Sequence, residues 1–217
     1  MNIEQARFNM IEQQIRTWDV LDQGVLDLLA RVPREDFVPL PYRKLAFADT
    51  PIALNHGQVM MPPKLEARLI QALSIKPSDV ILEIGTGSGY LTALLASLAE
   101  HVYSVDIFDE FRVSTQRKLA AHGITNVTLE TGDAALGWDR HGPYDAIALT
   151  GSLPIFSDHF QQQLNIGGRL FMITGTAPAM EARLITRRGE ARWECESLFE
   201  TNLPPLINAP QPPRFVL

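Results

Sequence analysis

The fold of this chain is decided by the stretch Val80-Ile81-Leu82-Glu83-Ile84-Gly85-Thr86-Gly87-Ser88-Gly89-Tyr90. An apolar run with one embedded carboxylate breaks there into alternating glycines, and an apolar pattern resumes over Tyr90–Ala99. This order predicts a buried parallel strand, a tight turn and a helix. Gly85 and Gly87 allow the backbone to approach a ligand closely, and Gly89 lets the helix pack near the strand. We therefore expect a ligand beside Gly85.

The spacing of the glycines bears on which ligand this is. The dinucleotide fingerprint requires its third glycine where this chain has Tyr90. Glu83, in the strand before the turn, is expected to face the crevice, where a carboxylate would repel a pyrophosphate and attract a cation. S-adenosylmethionine carries an ammonium and a sulfonium charge, so it fits this pattern better than a dinucleotide.

Two more acids follow the next predicted strands. The strand His101–Asp106 ends in a carboxylate about twenty residues after the first glycine, where an acid can bind both hydroxyls of a ribose. The strand Val127–Glu130 runs into Gly132-Asp133, and Asp133 is expected to accept a hydrogen bond from the adenine amino group. Each acid alone has a structural alternative, since such residues also cap helices and hold turns. Their joint order favours the nucleoside site.

These residues and others resemble, in order and spacing, the class I S-adenosylmethionine-dependent methyltransferases and, within them, the protein-L-isoaspartate O-methyltransferases. The segments that carry the resemblance span most of the chain: Arg34–Pro39, Gly57-Gln58, Leu82–Tyr90, Val102–Val105, Gly132-Asp133, Gly137-Trp138, Pro143–Asp145 and Leu164–Leu170. The resemblance implies an α/β, doubly wound Rossmann-like fold. Its sheet would have seven mostly parallel strands with antiparallel C-terminal strands, preceded by an N-terminal helical accessory segment.

The resemblance also implies S-adenosyl-L-methionine as the cofactor. Its expected binding residues lie in the glycine turn and at the strand ends: Glu83, Gly85, Thr86, Gly87, Gly89, Asp106 and Asp133. The implied activity is methylation of the side-chain carboxylate of L-isoaspartyl residues in damaged proteins, which is a protein repair reaction. A carboxylate with an unperturbed pKa of about 4 is already ionised at neutral pH, so this transfer needs no general base.

The chain departs from the family pattern after Gly57-Gln58. The family continues with Thr-Ile-Ser, whereas this chain reads Val59-Met60-Met61, so the family serine position is Met61. Val59 and Met61 offer no hydroxyl, and Met60-Met61 is a flexible apolar pair that can line a pocket. No catalytic residue is therefore assigned. The residues expected on the substrate side are Gln58, Val59, Met60, Met61 and, from the tail, Arg214.

This departure keeps two alternatives open. One is a relative that kept the cofactor site and changed its acceptor, for example to a small carboxylic acid. The other is a non-catalytic S-adenosylmethionine-binding regulatory protein. Transfer to an amine, a phenol or an alcohol is disfavoured because the usual clamp, base or metal has no counterpart in the sequence.

Composition bounds the partners and the location. The 217 residues are 46% hydrophobic, which predicts one globular domain over residues 1–217. Its parts would be a helical and substrate-side segment (1–75), a cofactor-binding core (76–202) and a proline-rich tail (203–217). A net charge of −6 disfavours nucleic acid as a partner. The chain has no apolar run long enough for a membrane span and no signal pattern.

The remaining expectations concern cysteine, metal and the other elements. Cys195 is the one cysteine, so no intramolecular disulfide is possible and a cytoplasmic monomer is expected. The histidines are too scattered for a metal site. Further helices are predicted over Ile3–Arg16, Gln23–Val32, from Lys64, and over Phe156–Leu164. Further strands are predicted over Gly168–Ile173, Glu181–Thr186 and Arg192–Thr201, with Cys195 pointing inward beside Trp193. The terminal Phe215-Val216-Leu217 is expected to dock on the domain.

Overall fold

A computed structural model describes residues 2–212 of the chain. The expectations for Arg214 and for Phe215-Val216-Leu217 lie outside these described residues. Among residues 2–212, no helix combines the length and the apolar character that a bilayer crossing requires.

The accessory segment begins with helices that are capped by short polar side chains. Helix α1 (Ile3–Asn9) is capped by the Asn2 side chain and continues into a π-helical turn over Met10–Ile15. The buried side chains of this region belong to the π-helical turn and not to α1. Helix α2 (Gln23–Arg31) follows Asp22, whose carboxylate accepts hydrogen bonds from the first amides of the helix. These caps satisfy backbone donors that have no partner inside a helix.

A long connection leads from α2 to the nucleotide half of the chain. It contains a small antiparallel hairpin of β1 (Ile52–Ala53) and β2 (Val59–Met60). Helix α3 (Pro63–Leu73) then begins with a proline at its first position, as the sequence predicts. This helix buries one face against the accessory segment and the large sheet.

The large sheet has seven strands in the spatial order β5-β4-β3-β6-β7-β8-β9. The first five in this order are mutually parallel, and β8 and β9 are antiparallel to their neighbours. The strands are β3 (Val80–Ile84), β4 (His101–Asp106), β5 (Val127–Thr131), β6 (Tyr144–Leu153), β7 (Leu164–Thr176), β8 (Ala179–Gly189) and β9 (Arg192–Thr201). The helices between them are α4 (Tyr90–Ala96), α5 (Asp109–Ala121) and α6 (Asp158–Gln162).

Apolar side chains on the two faces of the sheet form two cores. Ile81 and Phe171 belong to the core shared with α3, α4 and the accessory segment, whereas Leu82 and Leu170 belong to the core that includes Phe160 of α6. The strands are apolar on both sides because helices cover both faces. The doubly wound α/β fold expected from the sequence is therefore confirmed.

Helix α6 and strand β7 have other bounds than the sequence suggests. The helix expected over Phe156–Leu164 is limited to five residues, because β7 already begins at Leu164, which pairs with Tyr144. The strand predicted from Gly168 therefore begins four residues earlier, and Gly167 and Gly168 lie within β7 at a register irregularity. Glycines can mark a bulge inside a strand as well as a turn.

The inward orientation expected for Cys195 is wrong. Cys195 is exposed, whereas Trp193 is half-buried and donates its indole N–H to the Gln161 carbonyl oxygen at 3.2 Å. Strand β9 is the edge of the sheet, and the short α6 reaches only as far as Trp193. Alternation along a strand identifies two faces, but it does not tell which of them another element covers.

Candidate functional site

The glycine turn after β3 uses backbone conformations that other residues rarely adopt. Gly85, Gly87 and Gly89 have φ angles of +97°, +49° and +84°. At Gly85, a Cβ would lie 2.0 Å from Oγ1 of Thr150, which itself donates hydrogen bonds to the carbonyl oxygens of Ile84 and Gly85. The turn is thus held by the end of the neighbouring strand β6, and only glycine fits at Gly85.

Gly89 permits a different contact from the one expected. A Cβ at Gly89 would lie 2.5 Å from Oγ1 of Thr115, which belongs to α5. The close packing at Gly89 is therefore between the start of α4 and the next helix, and not between α4 and strand β3. Gly89 does not line the cavity described next.

A cavity opens at the carboxyl ends of the parallel strands, beside the glycine turn. The strand order places it where β3 is flanked by β4 on one side and β6 on the other, which is the switch point of a doubly wound sheet. Four of the predicted cofactor residues line it: Gly85, Gly87, Asp106 and Asp133.

Asp106 is the last residue of β4 and is fixed from both sides. Its Oδ2 accepts the Gly87 amide at 2.9 Å, and its Oδ1 accepts the Phe108 amide at 3.0 Å. Helix α5 begins only at Asp109, and the Asp106 side chain does not cap it. Burial raises the pKa of Asp106, and the amide hydrogen bonds from Gly87 and Phe108 oppose this rise. Each carboxylate oxygen keeps a further lone pair for a ligand hydroxyl.

Asp133 lies at the other end of the cavity, in the loop after β5. Its Oδ1 accepts the Ala135 amide at 3.0 Å, and its Oδ2 accepts the side-chain amide of Asn208 at 2.8 Å. Asp133 is exposed, unlike Asp106. The two acids therefore flank the cavity in a buried and an open position.

Glu83 does not face the crevice, which corrects the sequence expectation. Its side chain is 0% exposed and accepts hydrogen bonds from the hydroxyls of Ser104 and Thr92. Burial raises the pKa of Glu83 to about 8, against the effect of these hydrogen bonds. Because the carboxyl group of Glu83 is buried and does not line the cavity, it offers no direct contact to a ligand there.

Thr86 belongs to the same buried network and does not line the cavity. Its Oγ1 lies 2.6 Å from Oγ of Ser104, which donates to Glu83 at 2.6 Å. These groups connect the glycine turn to strands β3 and β4 from below. We interpret Glu83 and Thr86 as supports of the turn that holds the ligand.

The substrate-side residues divide into two pairs. Gln58 and Val59 line the cavity, but Met60 and Met61 are 3% and 4% exposed and belong to the core. This corrects the expectation that the methionine pair lines a pocket. Both methionines pack in the core that includes the buried residues of the accessory segment.

A buried arginine holds the backbone at Met61. Arg34 donates from Nη2 to the Met61 carbonyl oxygen at 2.6 Å and from Nε to the Ala46 carbonyl oxygen at 2.8 Å. The same guanidinium forms a buried ion pair with Glu66 of α3. Removing one partner of such a pair leaves an uncompensated buried charge. The path of the chain past Met61 is therefore firmly determined.

One contact over the cavity has no counterpart in the sequence analysis. The His56 ring stacks on Phe108 with centroids 4.0 Å apart and planes 8° apart, and its Nε2 lies 2.9 Å from Oε2 of Glu110. Asn55 donates to the other oxygen of Glu110. The turn between β1 and β2 is thus fastened to the start of α5 beside Phe108, which lines the cavity.

The tail after β9 forms another wall of the cavity, through residues for which the sequence predicted no contact. Ser152, at the end of β6, accepts the Leu206 amide at 3.0 Å and donates its hydroxyl to the Leu203 carbonyl oxygen at 2.8 Å. The cavity-lining residues of the tail are Leu203, Pro204, Pro205, Leu206 and Ile207. Proline excludes a helix or a central strand there, but it does not reveal where an extended segment lies.

This arrangement defines a class of protein. The sheet is doubly wound, has seven strands and ends in an antiparallel C-terminal pair. A glycine turn follows β3, and acidic residues lie beside the cavity. These features together define the Rossmann-like methyltransferase fold.

Two solved structures have the same fold. A protein-L-isoaspartate O-methyltransferase matches with a TM-score of 0.75 and 22% identity. The match covers 92% of this chain and 65% of the chain of that protein. A Plasmodium falciparum protein described as a protein-L-isoaspartate O-methyltransferase, solved with S-adenosyl-L-homocysteine, matches with a TM-score of 0.76 and 19% identity, covering 95% of this chain and 98% of its own.

Sequence comparison gives the particular family. The family model of protein-L-isoaspartate(D-aspartate) O-methyltransferase (PCMT) matches residues 5–209. Protein-L-isoaspartate O-methyltransferase 2 of Pelobacter propionicus is 36% identical over 209 residues, covering 96% of this chain and 93% of its own length. The Rhodopseudomonas palustris protein-L-isoaspartate O-methyltransferase is 38% identical over 201 residues, covering 92% of each chain. The chain belongs to the protein-L-isoaspartate(D-aspartate) O-methyltransferase family.

Proposed function

We propose that this protein transfers a methyl group from S-adenosylmethionine to the side-chain carboxylate of L-isoaspartyl residues in damaged proteins. The observation that carries the proposal is the cavity at Gly85, Gly87 and Asp106 in a chain of this family. The relatives are named for this reaction, and the Plasmodium falciparum protein was solved with the demethylated form of the donor. The resulting ester permits succinimide formation and so partial repair.

The residues of the cavity fit this donor. Gly85 and Gly87 line the cavity and carry no side chain, so a ligand can lie against the backbone of the turn. We assign Asp106 to the ribose hydroxyls, because its two oxygens are oriented by amides and retain free lone pairs. Asp133 is assigned to the adenine amino group. S-adenosylmethionine, when bound, supplies an electrophilic methyl group on a sulfonium sulfur.

The chain has little chemistry to perform beyond positioning. An isoaspartyl carboxylate with a pKa of about 4 is ionised at neutral pH, so no side chain has to remove a proton. Alignment of the reacting atoms in a site shielded from water can supply most of the acceleration. Gln58 and Val59 lie at the cavity wall and are proposed to orient the substrate through backbone and amide groups.

A labelling experiment tests this function. Purified protein is incubated with methyl-labelled S-adenosylmethionine and an isoaspartyl peptide, beside the same peptide with a normal aspartyl residue. The proposal predicts base-labile label on the isoaspartyl peptide alone. Label on both peptides, or on neither, would contradict it.

A second candidate function has its own observation. Met61 stands at the family serine position and is buried in the core, so the serine hydroxyl has no replacement there. A methyltransferase of the same family with a different carboxylic acceptor would show donor binding and label on small carboxylic acids in the same assay. A non-catalytic binding protein would show donor binding and no label on any acceptor.

The domain organisation and the location are also proposals. We propose that residues 1–217 act as one methyltransferase domain, supported by the β1–β2 hairpin region and the tail, both of which contribute walls to the cavity. We propose a cytoplasmic location because the one cysteine permits no intramolecular disulfide.

A further inference from the structure

The hydrogen bond between Asn208 and Asp133 joins two distant parts of the chain across the cavity. Asn208 lies in the tail that follows β9, and Asp133 lies in the loop after β5; these strands are the opposite edges of the sheet. The Asn208 Nδ2 donates to Asp133 Oδ2 at 2.8 Å. The tail therefore crosses the carboxyl ends of the strands and is fastened at the far end of the cavity.

The backbone at Asn208 is positioned independently of this bond. Its φ angle is +64°, in the left-handed region that asparagine and glycine tolerate better than other residues. On either side, the Ala209 amide donates to the Leu206 carbonyl oxygen at 3.1 Å, and the Leu206 amide donates to the Ser152 carbonyl oxygen at 3.0 Å. The side-chain amide is thus presented to Asp133 by a tail that strand β6 already holds.

Asp133 receives one hydrogen bond on each oxygen. The Ala135 amide fixes Oδ1 at 3.0 Å, and Asn208 fixes Oδ2. A carboxylate has about four acceptor positions, so two remain for donors from a ligand. Asp133 is exposed, and among the described contacts only the hydrogen bond from Asn208 holds its Oδ2 in place.

We infer that Asn208 is a specificity-determining positioning residue, which orients the Asp133 carboxylate so that the site selects a 6-aminopurine nucleoside. This inference rests on the proposed function, and in particular on the assignment of Asp133 to the adenine amino group. A 6-oxopurine presents an oxygen acceptor in place of the amino donor, so the carboxylate would lose the hydrogen bond at this position, and the nearest donor of the base would be N1–H. Sites that are built to bind a donor group discriminate strongly against analogues that lack it.

The test measures dissociation constants by calorimetry for S-adenosylhomocysteine and S-inosylhomocysteine on the full chain. The variants are Asn208→Gly, which keeps the backbone conformation and removes the amide, and Asn208→Asp, which also tolerates this backbone and opposes two carboxylates. Asn202→Ala is the control, because Asn202 is an exposed asparagine of the same tail that does not line the cavity. The ratio of the two affinities is the readout.

We expect Asn208→Gly to lower the preference for the adenosyl ligand about fivefold, as the loss of one ordinary hydrogen bond would. Asn208→Asp is expected to lower it further, and Asn202→Ala to leave it unchanged. An unchanged ratio in both Asn208 variants would overturn the inference. This includes an equal loss of affinity for both ligands, which would mean that Asn208 only shapes the cavity and does not affect which base is bound. If the wild-type protein bound neither nucleoside, the proposed function itself would fail first.

Discussion

The proposed donor side and the proposed acceptor side of this site are built in opposite ways. The donor side consists of a glycine turn and strand-end carboxylates, each oriented by backbone amides around a cavity. On the acceptor side, the segment after Gln58 turns its two methionines into the core and presents few polar side chains. The contrast indicates that backbone geometry determines how the donor is bound. The side chains after Gln58, in comparison, do not indicate which acceptor is bound.

The largest effect is expected at the glycine turn. Gly85→Ala would place a Cβ 2.0 Å from Thr150 Oγ1 at a φ of +97°, so strain and overlap together should cost about 3–4 kcal/mol. Donor affinity should fall at least about a hundredfold, or the free energy of unfolding should fall by this amount. Calorimetry and urea unfolding measure the two effects.

A matched glycine separates strain from overlap. Gly123 has a φ of +69°, a Cβ added there would meet no atom within 4 Å, and the residue lies outside the cavity. Gly123→Ala should therefore cost only about 1–2 kcal/mol of stability and leave donor affinity unchanged. Equal effects of the two substitutions would refute the role of close approach at Gly85.

The acceptor side is probed by restoring the family residue. Met61→Ser removes a buried apolar side chain and should lower the free energy of unfolding by about 3 kcal/mol without raising the rate of methylation. Val59→Thr is the companion variant, because Val59 lies at the cavity wall and tolerates a hydroxyl more readily. A faster reaction in Met61→Ser would show that the side chain at this position reaches the acceptor.

The buried carboxyl below the turn predicts a pH dependence of stability. The pKa of Glu83 is raised from 4.5 to about 8 in the folded protein, so the folded state holds a proton that the unfolded state has lost between these values. This contribution to stability is complete below pH 4.5 and is lost as pH rises through about 8. Wild type should lose about 2 kcal/mol relative to Glu83→Gln between pH 5.5 and 7.5. Parallel urea midpoints of the two proteins would contradict the buried, protonated state.

A smaller effect on donor affinity is expected when the carboxylate of Asp106 is replaced by the isosteric amide. Asp106→Asn turns an amide N–H toward the amides of Gly87 or Phe108 and removes one acceptor, so donor affinity should fall roughly 10- to 100-fold. Asp109→Asn, at an exposed position at the start of α5, is the control with no expected change in affinity. Normal affinity in Asp106→Asn would remove the ribose assignment.

The order of the helices and strands could be predicted from the sequence, whereas the burial of individual side chains could not always be predicted. The run from Val80 to Tyr90 predicts strand, turn and helix because the period and the glycines are local properties. The alternation over Arg192–Thr201 likewise predicts β9. The same alternation could not place Cys195, since exposure there depends on how far α6 extends over the sheet.

The parts of the site that could not be predicted depend on contacts between distant segments. Glu83 was expected in the crevice, but its orientation is decided by the hydroxyls of Ser104 and Thr92, which lie in another strand and a helix. The contact of Asn208 with Asp133 spans 75 residues of chain. The sequence led to the expectation that the end of the tail docks on the domain, but it did not indicate that Asn208 makes this contact.

We propose that the cavity at the glycine turn is a selective site for the S-adenosyl group. A calorimetric titration of the full chain with S-adenosylhomocysteine, repeated in the presence of excess NAD⁺, tests this selectivity. We expect saturable binding of one ligand per chain that NAD⁺ leaves unchanged. Absence of saturation, or displacement of the ligand by NAD⁺, would contradict it.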